Sequence, residues 1–411
     1  MTSDSPPPAE PVPPRAPAGG AAHPHTLLTV NNALSAASSA AMAIVTPFVP
    51  LDIAAQGGSD IVIGMAVGAA GLLPLLLSVH VGALVDERGV VFVSKAAVVI
   101  YVVAGVLLVA GHSIPAVTVA YALMGVGSIA MVVATQTVIA AVSDPSSRIR
   151  NFGYYSVWSA AGSIIGPIGG GFVAQQWGFQ AAFALVLVCM VPAYPLATLM
   201  RSAPKAPRHT VSLATAHTHA GTVWRQAGVP AILIICFIVV CGQTLKQSFF
   251  SIYLQKVGLS ATLIGLAYAA DSLCQVAVRP ALGPNVVRFG YGTLLVAATA
   301  MAAVALGVTP LLHTFWPLVL ASGLMGISTG VTQPATMSMM AEVVGAEFWG
   351  LAMGIRQVAQ RSASVLSPVV FGVIINVSSI EAAFYVGAAV LAGSVPIVGG
   401  LTRQFQPPAK T

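Results

Sequence analysis

Charge is what this sequence has least of. Asp, Glu, Lys and Arg together make up only 7% of its 411 residues, against roughly a quarter in soluble domains. That shortage excludes an ordinary soluble enzyme, a disordered scaffold and a nucleic-acid binder, each of which needs a solvated or strongly basic surface. Cysteine is also sparse: Cys189, Cys236, Cys241 and Cys274 stand in apolar stretches without CxxC or other metal-ligand spacing, so they read as buried thiols. No GxxxxGKS or GxxxxGKT sequence is present, which argues against an ATP-driven pump. Neither HExxH nor a Ser-His-Asp arrangement occurs, so no enzyme, metal or cofactor is expected. What fills the chain is apolar, at 57% hydrophobic residues and a mean hydropathy of +0.89, and its solvent is a bilayer.

The order of the apolar runs gives the organisation. Residues 1–26 are rich in Pro, Ala and Gly with Arg15 as their one basic residue, which matches a disordered cytoplasmic tail and neither a secretory signal nor a transit peptide. Twelve runs follow, each near the ~20 residues that a spanning helix needs. They lie at 27–50, 61–84, 91–111, 116–142, 152–174, 180–200, 229–254, 261–283, 292–311, 316–341, 349–376 and 382–401. The long polar interruption at 201–228 is a linker, and 402–411 a second tail. His209, His217 and His219 in that linker have no Cys or acidic partner and read as part of a flexible loop. The expected architecture is an all-α membrane protein of two six-helix bundles, 27–200 and 229–401.

An internal repeat supports the division. An offset of 201 pairs Phe48 with Phe249, Gly64 with Gly265, Gly82 with Gly283, Gly89 with Gly290, Pro167 with Pro368, Gly171 with Gly372 and Phe183 with Phe384, without a gap. The same offset maps all six run boundaries of one half onto the other. Parallel repeats of this kind place a substrate site between two pseudo-symmetric bundles, near the bilayer midplane.

Lys and Arg set the orientation. With both termini inside, 13 basic residues fall on the cytoplasmic side against Lys256 alone outside, while Lys246, Arg356 and Arg361 lie within spans. The net charge of +6 is thus a topology signal. Asp52 and Asp60 follow the first span on the outer side, where solvation is their expected role.

Two motifs carry a family resemblance. Between the second and third spans stands Gly82-Ala-Leu-Val-Asp86-Glu87-Arg88-Gly89, a tight turn beside helix ends. It resembles the loop signature of the major facilitator superfamily, in which Gly permits close helix approach and Asp caps a helix or pairs with Arg. Glu87, Val90 and Val91 depart from the usual basic residues, and in the second half Val287 takes the acidic place. The fifth span carries Gly153, Gly162, Gly166, Pro167, Gly170 and Gly171 at a spacing that resembles the motif marking antiporters and efflux pumps of that superfamily. Small residues let a neighbouring backbone come close, and Pro bends the helix, so such a hinge can rock between two states. One feature of proton-coupled members is missing: Tyr121 stands in the place of the motif's arginine, and Asn31 and Asn32 replace a carboxylate in the first span.

Ionisable groups inside spans are functional candidates, because each costs at least ~2.5 kcal/mol at the bilayer centre. Asp271 is the one carboxylate near the middle of a span. Lys246, Arg356 and Arg361 are the deep cations, with Gln357 one turn from Arg361 and Gln243 beside Lys246. The resemblance implies that spans seven, eight and eleven line a shared cavity, in which three cations would suit an anionic substrate. Asp271 either carries a coupling proton or forms a structural pair with a cation. Gln136 and Gln333 could touch substrate or tie helices, and Tyr154, Tyr155, Trp158, Phe249, Phe250 and Tyr253 could line the cavity or anchor at the interface.

The expectation is a monomeric secondary transporter in a bacterial cytoplasmic membrane that exports a small organic molecule by alternating access, coupled to protons. An anionic or chelating metabolite such as a siderophore, or a drug, would be its cargo. Its rivals are proton-coupled uptake of an organic acid and, from another class, a membrane sensor or lipid flippase.

Overall fold

The computed structural model describes residues 24–200, 224–226, 228–344 and 349–403. The expected tails, and the linker with its three histidines, lie almost wholly outside the described residues. In the first half the helices are α1 (Pro24–Val45), α2 (Phe48–Ala55), α3 (Asp60–Arg88), α4 (Val90–Ala110), α5 (Ile114–Val142), α6 (Pro145–Met190) and α7 (Ala193–Leu199). In the second they are α8 (Val229–Lys256), α9 (Ala261–Ala277), α10 (Arg279–Val308), α11 (Phe315–Val343), α12 (Trp349–Val377) and α13 (Ile380–Thr402). Ten described helical segments are long and apolar enough to cross a membrane. One of them bends back at Gly178 and so crosses twice, and the shorter α9 with the start of α10 makes the remaining pass, for twelve in all.

The turns lie where glycine allows them. Gly89 ends α3 at φ 85°, and its repeat partner Gly290 breaks α10 at φ 77°; Gly57 and Gly258, also one repeat apart, have φ 81° and 86°. Residues with a Cβ rarely adopt this region, so glycine is what permits these four turns. The reading of Gly82 to Gly89 as a tight turn is therefore corrected: α3 is helical through Arg88 and only Gly89 turns. On the polar side of other ends, Ser59 accepts from the Val62 amide and Ser379 from the Ala382 amide.

The repeat recurs in the packing. Phe48, Phe249, Phe183 and Phe384, two pairs one repeat apart, are all fully buried. The halves meet through backbone, because in lipid helices associate by close van der Waals fit rather than by hydrophobic exclusion. Gly64 of α3 lies against the carbonyl of Pro368 on α12, and Gly265 of α9 against the carbonyl of Pro167 on α6. One turn on, Gly372 abuts the Asp60 carbonyl and Gly171 the Ala261 carbonyl. All four contacts lie toward the face opposite the termini. Toward the terminal face, Gly82, Gly153, Gly283 and Gly354 have no close neighbour among the described residues, so the close approach expected at Gly82 is absent there. The two halves are joined on the far face and splayed on the terminal face.

Asp52 also departs from its expectation. It is 4% exposed and accepts from Gln56 Nε2 at 2.9 Å instead of standing in water. At the same far face Lys256 Nζ meets Glu381 Oε1 at 2.6 Å, joining α8 to α13 on the surface.

Candidate functional site

Between the halves, α1, α5, α6, α8 and α9 enclose a cavity of about 270 Å³. The first half contributes mostly small hydroxylated residues, Ser38, Ser39, Thr46, Ser128 and Ser163, with Met42 and Pro167. The second half contributes longer polar groups, Gln243, Gln247 and Gln275, and the charged pair Lys246 and Asp271. The repeat partners of Lys246 and Asp271 are Val45 and Ala70, so the charge is confined to one half. A second cavity of about 200 Å³ shares Ser163, Ser272 and Gln275 with the first and runs between α6 and the end of pass eight to Arg279. It is the vestibule left by the splaying at the terminal face.

The pair is built from three helices. Lys246 Nζ on α8 donates to Asp271 Oδ1 on α9 at 2.6 Å and to the Ser322 carbonyl on α11 at 3.2 Å. The ammonium also lies 5.6 Å from the Phe250 ring centre and 5.9 Å from that of Tyr268, within range of cation–π attraction. Tyr268 donates its hydroxyl to the Lys246 carbonyl at 3.2 Å, and Ser322 donates to the Ala267 carbonyl at 2.7 Å. Gly326 lets α11 rest on the Asp271 backbone. The lysine is thus held by contacts from α8, α9 and α11.

Its partner is not. The Lys246 side chain is 5% exposed and that of Asp271 25%, so the acid is the member that meets the cavity. A buried ammonium is tolerated only when a carboxylate compensates it. Removing the charge from either one strands the other.

Of the remaining predicted residues, Gln243 joins this site and the arginines do not. Arg356 is 4% exposed and donates to Gln333 Oε1 at 3.3 Å and Thr336 Oγ1 at 3.4 Å, while Gln360 donates to the same Gln333 oxygen at 2.9 Å. This polar knot ties α12 to α11. Arg361 and Gln357 are partly buried on α12 and do not line the cavity. Three cations in one aqueous space is therefore not the arrangement found. Phe249, Phe250 and Tyr253 are core residues, Tyr155 lines the vestibule, and Gln136 is exposed.

The fifth-span glycines do what their spacing implies over part of their length. Gly162 lies against the Ala36 carbonyl of α1, Gly166 against that of Ala40, Gly170 against Ile44 and Phe48, and Gly171 against α9, while Gly153 has no neighbour. In the loop motif Arg88 stacks on Phe92 at 4.9 Å, and the side chain of Asp86 lies outside the described residues.

Comparison with known proteins places this architecture. The family model described as Major Facilitator Superfamily matches residues 33–257 and 232–410, nearly the whole chain. The chain belongs to that superfamily. Its fold is that of a membrane transporter, and the chain spans 65% of the length of the first curated relatives it matches. The rat MFS-type transporter SLC18B1 is 27% identical over 313 residues, which span 70% of this chain and 65% of that protein. Quinolone resistance protein NorA of Staphylococcus aureus is 22% identical over 362 residues, 86% of this chain and 91% of that protein. Among solved structures, the nucleoside transporter NupG superposes with a TM-score of 0.76 at 12% identity, covering 92% of this chain and 99% of that one. A bacterial homolog of the human lysosomal transporter Spinster gives 0.73 at 15% identity, covering 94% and 99%. The superfamily fold of two six-helix bundles, expected from the repeat, is thus shown.

Proposed function

We propose that this transporter exports a small organic molecule in exchange for protons, as a monomer in the cytoplasmic membrane of a bacterium with both termini in the cytoplasm. The observation that carries the reading is the Lys246–Asp271 pair facing the cavity between the halves. A proton on Asp271 frees Lys246 from its partner, and a substrate donor that takes the exposed carboxylate oxygen competes with that proton. Substrate and proton then exclude each other at one group, which is the requirement for exchange. Similarity to NorA, whose name records quinolone resistance, and the α6 glycines packed on α1 both support the outward direction.

The cavity chemistry narrows the cargo. Serine, threonine and glutamine side chains surround a net-neutral pair whose acid is the exposed member, so a donor-bearing molecule, an amine or a polyol, fits better than an anion. The anionic or chelating metabolite loses its motive with Arg356 and Arg361 outside the cavity. With the termini in the cytoplasm, the splayed terminal face makes this the inward-open state.

The test compares small molecules inside and outside a deletion strain, the strain complemented with the wild type, and one complemented with Asp271→Asn. Export predicts a compound that accumulates inside the deletion strain and is cleared by the wild type but not by the variant. A compound left unused in the medium would mean uptake, and clearance by the variant at the wild-type rate would remove Asp271 from the mechanism.

A further inference from the structure

A third cavity lies apart from the transport path. Below the contact of Gly162 with Ala36, α1 and α6 part toward the terminal face, and the space between them amounts to about 410 Å³. His25, Leu28 and Asn32 line it from α1, and Arg150, Tyr154 and Trp158 from α6. None of these residues lines the central cavity or its vestibule.

Its placement along α6 is ordered. Arg150 stands at the terminal end, and Trp158 is eight residues further in, about 12 Å along a helix axis. Tyr154 (57% exposed) and Trp158 (41%) border an outward stripe that continues through Val157, Ile165 and Phe172, all more than half exposed and apolar. In a membrane protein such a stripe faces acyl chains, and Trp and Tyr settle at the headgroup level. The pocket therefore opens to lipid, with Arg150 and His25 at the water side and its aromatics at the start of the hydrocarbon.

One group inside it is unmet. Asn32 is 6% exposed, lines the pocket, and its Oδ1 has no hydrogen-bond partner among the described residues. A buried amide oxygen left so is destabilising, and a donor on a ligand would relieve it once the Asn32 side chain turns toward the pocket. An anion for Arg150 and His25, a hydroxyl for Asn32 and an apolar chain for Leu28, Tyr154 and Trp158 are three demands on one molecule.

We propose that this pocket binds a glycerophospholipid with an anionic, hydroxyl-bearing headgroup, its phosphate on Arg150 and His25, its hydroxyl on Asn32, and its acyl chain along Tyr154 and Trp158. Basic pockets between spanning helices recognise headgroups in this way. The site adds to the transport reading and does not depend on it, since the lipid is a ligand of the first half alone.

The full-length chain is purified and reconstituted with brominated phosphatidylglycerol or brominated phosphatidylcholine, in a form retaining Trp158 as its one tryptophan of five. Phosphatidylglycerol should quench Trp158 at about a five-fold lower mole fraction than phosphatidylcholine, and Arg150→Ala should abolish that difference. Native mass spectrometry of the otherwise wild-type protein provides the second arm, with one phosphatidylglycerol retained and lost in Arg150→Ala and in Asn32→Leu. Equal quenching by the two lipids, together with retention indifferent to both substitutions, would overturn the site. Protection by glycerol 3-phosphate alone would overturn the lipid assignment.

Discussion

Gly265 lies against the backbone carbonyl of Pro167, and one repeat away Gly64 lies against the carbonyl of Pro368. The two contacts are related by the offset that relates the halves of the sequence, and together they seal the far face. A Cβ at either glycine would collide with a carbonyl oxygen, an atom that cannot rotate aside. Gly265→Leu and Gly64→Leu should each lower the initial transport rate by roughly tenfold or more, at unchanged amounts in the membrane, because overpacking by 1–3 kcal/mol disfavours the sealed state. The wild-type rate in both variants would show that this state is not visited in transport.

The ion pair predicts an asymmetry between single and double substitutions. Lys246→Met alone leaves Asp271 without its cation, and Asp271→Leu alone leaves a buried ammonium, each costing about 3–5 kcal/mol when a buried pair is broken. The double variant removes both charges and should recover most of the thermal stability, measured as Tm in detergent, while gradient-driven transport stays absent. A double variant as unstable as the singles would mean that packing around the pair, and not its charge, holds the three helices.

Within the glycine motif, position decides the cost. Gly153→Ala enters open space in a helix and should be neutral, or stabilise by up to about 1 kcal/mol through helix propensity. Gly162→Val should prevent close packing of α6 on Ala36 and sharply reduce the amount of folded protein in the membrane. Fluorescence-detected size-exclusion chromatography of the two variants reads both outcomes, and equal profiles would contradict the packing role.

Gln333 is predicted to be structural. Its Oε1 accepts from both Arg356 and Gln360, and the Arg356 Nε already lacks a partner, so Gln333→Leu strips a buried guanidinium further. Destabilisation of about 1–3 kcal/mol is expected from the unmet donors. The affinity of the central cavity for substrate should stay as it is, whereas Gln243→Leu should weaken it; the reverse pattern would place Gln333 at the substrate.

Much of the membrane architecture was open to sequence reasoning because its causes are local. An apolar run of about 20 residues must close its backbone hydrogen bonds as a helix wherever water is absent. Gly89 and its repeat partner Gly290 stood out in the sequence, and both sit where φ is near +80°, a region that residues with a Cβ rarely adopt. The ion pair was not legible in this way. Asp271 and Lys246 stood out because charge in a span is costly, yet their partnership depends on how α8 and α9 are rotated about their axes. The same rotation turns Arg356 into the α11–α12 knot and away from the cavity, although the resemblance of its span to a cavity-lining helix suggested a common space. Asp52 went astray for a related reason: it lies near the end of a run, where sequence cannot distinguish a solvated end from one covered by its own helix and Gln56.

The sequence by itself determined that this chain is a bundle of twelve membrane passes in two repeated halves with sparse, expensive charges, because lengths, periods and composition are properties of the chain alone. The tertiary structure decided which charges meet, which glycines touch a carbonyl, and which face of the assembly is open. Those are matters of helix rotation and of contact between residues hundreds of positions apart, and in lipid they are set by the fit of backbone against backbone.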